Sequence, residues 1–152
     1  MAASASFNLR GLGALIERMK KLDGTEVEVG FFSEDRYGPD NDNLPVATVA
    51  AYNEFGTRFN PTRPFMSDTF RDMSNRRLIE KGVRDVAVAA IKDGRSVQRL
   101  LKALGSMIGE MIEKSIEDWP GSNSPSTIEK KGFNDPLFDT GVMLKSVKFE
   151  IH

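Results

Sequence analysis

The chain has 152 residues, of which 28% are charged and 39% hydrophobic, with a net charge of −1. That size and balance suit one domain and give no global pull toward nucleic acid or a membrane. Cysteine is absent, which excludes disulfides, thiolate catalysis and cysteine-ligated zinc.

Residues 1–7 are small and polar, without the basic stretch and apolar run of a secretion signal. Asn8 can cap a helix in which Leu9, Leu12, Ile16 and Met19 recur at helical spacing, with Lys20 and Lys21 at its carboxyl end and Gly24 beyond it. From Thr25 to Phe32 the pattern changes to alternation: Val27, Val29 and Phe31 share one side and Glu26 and Glu28 the other, which predicts a half-buried strand. Residues 33–43 are rich in Gly, Pro, Asp and Asn without a periodic apolar face, and read as a long mobile loop.

Pro45 can open a short apolar helix, residues 46–55, that ends at Gly56. Pro61 and Pro64 then remove donors and hold Asn60 and Arg63 extended, so residues 57–64 are irregular. A longer helix is expected from Phe65, with Met66, Phe70, Met73, Ile79, Val83, Val86, Ala90 and Ile91 available to the core and a break at Gly94. Residues 96–119 carry the clearest apolar stripe, from Val97 through Leu104, Ile108, Ile112 and Ile116 to Trp119. Pro120 and Gly121 end it, a turn of helix can follow as far as Lys131, and residues 146–151 set Val147, Phe149 and Ile151 against Lys148 and Glu150 as a second strand.

These elements predict an α+β fold: one domain over residues 1–152, with a small antiparallel or mixed sheet packed against two long helices and extended loops. Phe31, Val27, Val147, Phe149 and the helix over 96–119 are the expected core. Two strands make a sheet with open edges, which a neighbouring copy or a third strand near Arg58 can complete.

Motifs for chemistry are missing. The only histidine, His152, is the last residue, where fraying is expected, so histidine triads and histidine metal sites are not expected. Asp40 and Asp42 with Glu34 and Asp35 fall short of a calcium loop, because the turn glycine and the closing glutamate are absent. Gly11 and Gly13 lack the lysine and hydroxyl residue of a phosphate loop. No cofactor, metal or catalytic residue is therefore assigned. Charge is uneven: residues 1–57 hold 5 basic and 9 acidic side chains, and residues 58–152 hold 16 and 13. The acidic excess gathers in Glu34, Asp35, Asp40 and Asp42, and a basic stretch runs through Arg58, Arg63, Arg71, Arg76, Arg77, Lys81 and Arg84. Such asymmetry can match subunits head to tail. A nucleic-acid-binding module using residues 58–84 is the alternative, although Asp68, Asp72 and Glu80 interrupt that stretch.

Two segments carry a family resemblance. Ala50-Ala51-Tyr52-Asn53-Glu54-Phe55-Gly56-Thr57, followed by Pro61-Thr62-Arg63-Pro64-Phe65-Met66, resembles a pairing in tail-completion and virion-morphogenesis proteins of tailed bacteriophages, where a short helix ends in Glu-Phe-Gly-Thr and a Pro-x-Arg-Pro-Phe turn opens a longer one. Near the end, Trp119, Ser126-Thr127-Ile128, Lys130-Lys131-Gly132 and Pro136-Leu137-Phe138-Asp139-Thr140-Gly141 with Leu144-Lys145-Ser146-Val147 resemble the closing motif of the same family, in the same order. The motif residues also have a conformational sense: Gly56 lets a helix end left-handed, the prolines fix a corner, Arg63 can reach carbonyls or a carboxylate, and Asp139 or Thr140 can cap a helical turn.

The resemblance implies a non-enzymatic structural subunit of the virion neck or tail, assembled in the bacterial host cytoplasm. It further implies a homo-oligomeric ring, hexameric or dodecameric, that joins head to tail and meets adjacent neck, connector or tail proteins. DNA would at most pass through its channel, and no membrane is involved. Glu34, Asp35, Asp40 and Asp42 lie outside the motif and are expected to touch adjacent rings.

Overall fold

A computed structural model describes residues 9–92 and 97–152. The expected cap at Asn8, the polar opening, the break at Gly94 and the helix start at Ser96 lie outside the described residues. In chain order the elements are α1 (Leu9–Lys20), β1 (Val27–Gly30), α2 (Val46–Phe55), α3 (Phe65–Arg71), α4 (Met73–Lys92), α5 (Val97–Glu117), α6 (Pro125–Lys131), α7 (Val142–Lys145) and β2 (Lys148–Ile151). The fold is α+β.

Helix α5 is the centre. Its Leu104, Ile108, Ile112 and Ile116 fall on one face and are buried with Val46 and Ala50 of α2, Phe65 of α3, and Leu137, Met143 and Val147. The expected stripe is therefore the core. Phe31 is half-buried and meets the Phe65 ring edge-on at 6.0 Å between centroids. Trp119 packs against the edge of the same cluster.

β1 and β2 pair antiparallel, with Val27 opposite Ile151 and Val29 opposite Phe149. Reciprocal hydrogen bonds of 3.0 Å between Glu26 and His152 extend the ladder, so the last residue is tied into the sheet rather than frayed. The sheet lies on α5 at two glycines one helical turn apart. A Cβ on Gly105 would come within 2.5 Å of the Phe149 ring, whereas one on Gly109 would meet Val147 Cγ1 at 3.8 Å. Strand and helix thus approach almost backbone to ring. No third strand forms near Arg58 among the described residues.

The single long helix expected from Phe65 is in fact two. Asp72 is extended (φ −60°, ψ 124°), and its Oδ1 accepts from the amides of Ser74 at 2.8 Å and Asn75 at 2.9 Å, which stops α3 and caps α4. The break resets the helical phase. Val86 and Ala90 are buried as expected, but Phe70, Met73, Val83 and Ile91 are exposed. Helix α1 forms where expected; it packs on α4, and Arg18 Nη1 donates to the carbonyls of Ile91 (2.9 Å) and Lys92 (2.7 Å) at the end of that helix. Its apolar residues Leu12, Ile16 and Met19 remain 45–54% exposed.

Residues 33–43 contain more structure than their composition suggests. Arg36 bridges to Pro45, Val46 N donates to Asp35 O at 2.9 Å, Tyr37 N donates to Leu44 O at 2.9 Å, and Pro39–Asn41 form a 3-10 turn.

Candidate functional site

The first motif folds into a corner between α2 and α3. Glu54, in the last turn of α2, is only 7% exposed. Its carboxylate accepts from the amides of Met66 (2.9 Å) and Ser67 (3.0 Å) and from the Ser67 hydroxyl. A buried carboxylate thus satisfies the open amides at the start of α3, where the helix end favours negative charge. Gly56 has φ +73°, and a Cβ there would sit 2.7 Å from Thr62 Oγ1 and 3.0 Å from the Thr62 amide. Only glycine fits without strain. Thr57 Oγ1 accepts from Phe59 N and Asn60 N, which closes the turn before Pro61.

Arg63 is bound to Asn53 twice, its amide donating to the Asn53 carbonyl at 2.7 Å and Nη1 donating to Oδ1 at 2.9 Å. Burial pushes the guanidinium pKa below its usual value. Pro64 precedes α3, and Phe65 is fully buried. Among these motif residues, Glu54, Gly56, Thr57, Arg63, Pro64 and Phe65 keep the corner folded, whereas Phe55 is 77% exposed. Phe59, which the sequence does not single out, is 87% exposed at the same tip, with the Arg58 guanidinium 5.8 Å from its ring centroid.

The second motif makes the bend between α6 and α7. Leu137 is buried, and Gly141 (φ +75°) lies against the Phe138 ring. Neither Asp139 nor Thr140 caps α7: the N-cap is Gly141 itself, without a side-chain cap. A left-handed glycine takes the place of the expected polar cap, and Asp139 and Thr140 stay exposed. The bend is fastened by residues the sequence does not single out. Asp135 Oδ1 accepts from the amides of Leu137 (3.3 Å) and Phe138 (3.1 Å), and Lys131 Nζ donates to the carbonyls of Asp135 (2.8 Å) and Phe138. The Asp-Pro dipeptide was the available signal, since aspartate readily bonds backbone amides two residues on.

The two motifs, some eighty residues apart, meet in space. Helix α2 packs on α7, and a cavity of about 170 Å³ is lined by Asn53 from the first motif, Pro136, Leu137 and Asp139 from the second, and Tyr37 and Asn41 from the acidic loop. Burial, and secondarily the Asp139 carboxylate, raise the Tyr37 phenol above its usual pKa.

The four acidic loop residues do not act together. Asp35 is half-buried and paired with Lys148 Nζ at 2.6–2.7 Å, which makes it an internal tie. Glu34, Asp40 and Asp42 are exposed. Among the described residues no group of three His, Asp or Glu side chains could hold a metal ion, and no helix is long and apolar enough to cross a membrane.

The basic stretch disperses in the fold. Arg63 is used in the corner, Arg71 pairs with Asp68 at 3.3 Å, and Lys81 pairs with Asp85 at 2.7 Å. Arg77, Lys81 and Arg84 still share the outer face of α4, recurring at four and three residues and all exposed, with Lys81 held by Asp85. In comparisons with known proteins, no family model, no curated protein and no solved structure matches this chain.

Proposed function

We propose that this chain is a structural virion protein of a tailed bacteriophage, a tail-completion or neck subunit that acts without chemistry by joining oligomers through surface complementarity. The observation that carries the reading is the pair of motifs at residues 50–66 and 119–147. Each has the residue order of that family, and in the fold they lie against one another across α2 and α7. A set of motif residues devoted to holding two corners in register suits a subunit whose task is to present rigid surfaces. The exposed Phe55 and Phe59 at one corner supply apolar contact area of the kind interfaces use.

The partners proposed are further copies of the chain in a ring, hexameric or dodecameric, and the neck, connector or tail proteins on either side. The place of action is the virion, with assembly in the host cytoplasm. Light scattering across concentration, with negative-stain imaging, tests this: closed rings with a central hole support it. An assembly without closure, or particles purified without the chain, count against it.

A second reading, nucleic-acid binding, is favoured by the row Arg77, Lys81 and Arg84. It predicts DNA affinity that falls steeply with salt and is lost in R76E/R77E.

A further inference from the structure

The acidic loop and the basic row of α4 cannot reach each other within one chain. The loop is fastened to α2 through Val46 N and to β2 through Lys148. Helix α4 packs on α1, α3 and α5 and touches neither α2 nor β2. Helix α5 stands between the two. Their formal charges are opposite in sign: residues 33–43 sum to −3, with Asp35 paired to Lys148, and Met73–Lys92 sum to +3, with Lys81 paired to Asp85.

Each charged surface also adjoins exposed apolar groups. Leu44 follows the loop and is 37% exposed, while Val88 continues the row of Arg77, Lys81 and Arg84 on α4 and is 41% exposed. A charged rim beside an apolar centre is the composition of a protein–protein contact, whereas a phosphate-binding face needs no apolar centre.

We infer that the loop 33–43 of one copy docks on the outer face of α4 of the next, the two surfaces being the halves of a single head-to-tail contact. The contact pairs Glu34, Asp40 and Asp42 with Arg77 and Arg84, and Leu44 with Val88. Because its two halves lie on different sides of α5, the contact is heterologous and repeats around a ring or along a filament. Opposite charge would fix the register and exclude loop-to-loop or α4-to-α4 pairing.

The inference rests on the subunit reading, but the two fail separately. Particle composition asks whether the chain is in the virion; the charge swap asks which faces meet. The test is sedimentation velocity at low and high salt on the full chain, on E34K/D40K, on R77E/R84E and on the combined quadruple variant, each with a melting curve to confirm folding. All four side chains are exposed. Each double variant should weaken self-association by roughly 10- to 100-fold at low salt, and the quadruple variant should recover it. If either double variant fails to fold, E34Q/D40N and R77Q/R84Q carry the same test with a smaller shift.

Assembly of either double variant like the natural chain, failure of the quadruple variant to recover, or a natural chain that stays monomeric throughout overturns the inference. Loss of duplex-DNA affinity in R77E/R84E with unchanged self-association would overturn it in favour of a nucleic-acid face.

Discussion

The Phe149 ring lies directly over Gly105, so close that a Cβ at that position would stand 2.5 Å from the ring. Gly105→Ala should therefore force the strand away from α5 and cost roughly 1–3 kcal/mol. Gly109 lies one turn further on, where an added Cβ finds only ordinary contact with Val147 and Val29 at 3.8–4.0 Å. Gly109→Ala should be neutral or stabilise by roughly 0.5–1 kcal/mol through helix propensity. Urea denaturation of the two variants checks the pair; equal effects would mean that the strand does not lie on α5 as described.

The corner at Glu54 makes a prediction about a motif residue. Glu54→Ala leaves the Met66 and Ser67 amides and the Ser67 hydroxyl without their acceptor, at a cost of about 2–3 kcal/mol. Glu54→Gln should cost less, because one amide oxygen can still accept, but not be neutral, because its NH₂ faces a donor. A Glu54→Gln variant as stable as the natural protein would contradict this account of the corner.

The Asp35–Lys148 pair ties the loop to β2 and is half-buried on the aspartate side. A double-mutant cycle of Asp35→Ala and Lys148→Ala should return a coupling of roughly 0.5–1 kcal/mol. Glu34→Ala, at an exposed neighbour, should leave stability unchanged. No coupling between Asp35 and Lys148 would show the loop to be held by its backbone bonds alone.

Tyr37 gives a pH dependence. Its phenol pKa is raised above 10 by burial and by Asp139, so the folded state favours the neutral form. That contribution to stability is fully present below the ordinary value and is lost as pH rises through the folded one. Melting temperature should fall more steeply above pH 10 in the natural protein than in Tyr37→Phe. Identical slopes would place Tyr37 outside the buried cavity wall.

Much of this architecture is legible in the sequence where one helix face or one strand face meets a single core. The α5 stripe from Leu104 to Ile116 became the core, and the alternation of Val27 and Val29 with Glu28 gave a true strand. The break at Asp72 was hidden because aspartate is tolerated inside helices; its effect comes from bonding Ser74 and Asn75 instead of solvent. Gly105 was hidden for a similar reason, since a helical glycine signals close approach without naming the strand that approaches. On α1, the stripe of Leu12, Ile16 and Met19 predicted a helix, but periodicity does not say whose surface covers it. At the motifs, Gly56 and the prolines are legible as a helix end and a corner, whereas the part played by Glu54, whose carboxylate takes the Met66 and Ser67 amides, is not. Asp139 and Thr140 were misread as caps, because the left-handed Gly141 fills that position.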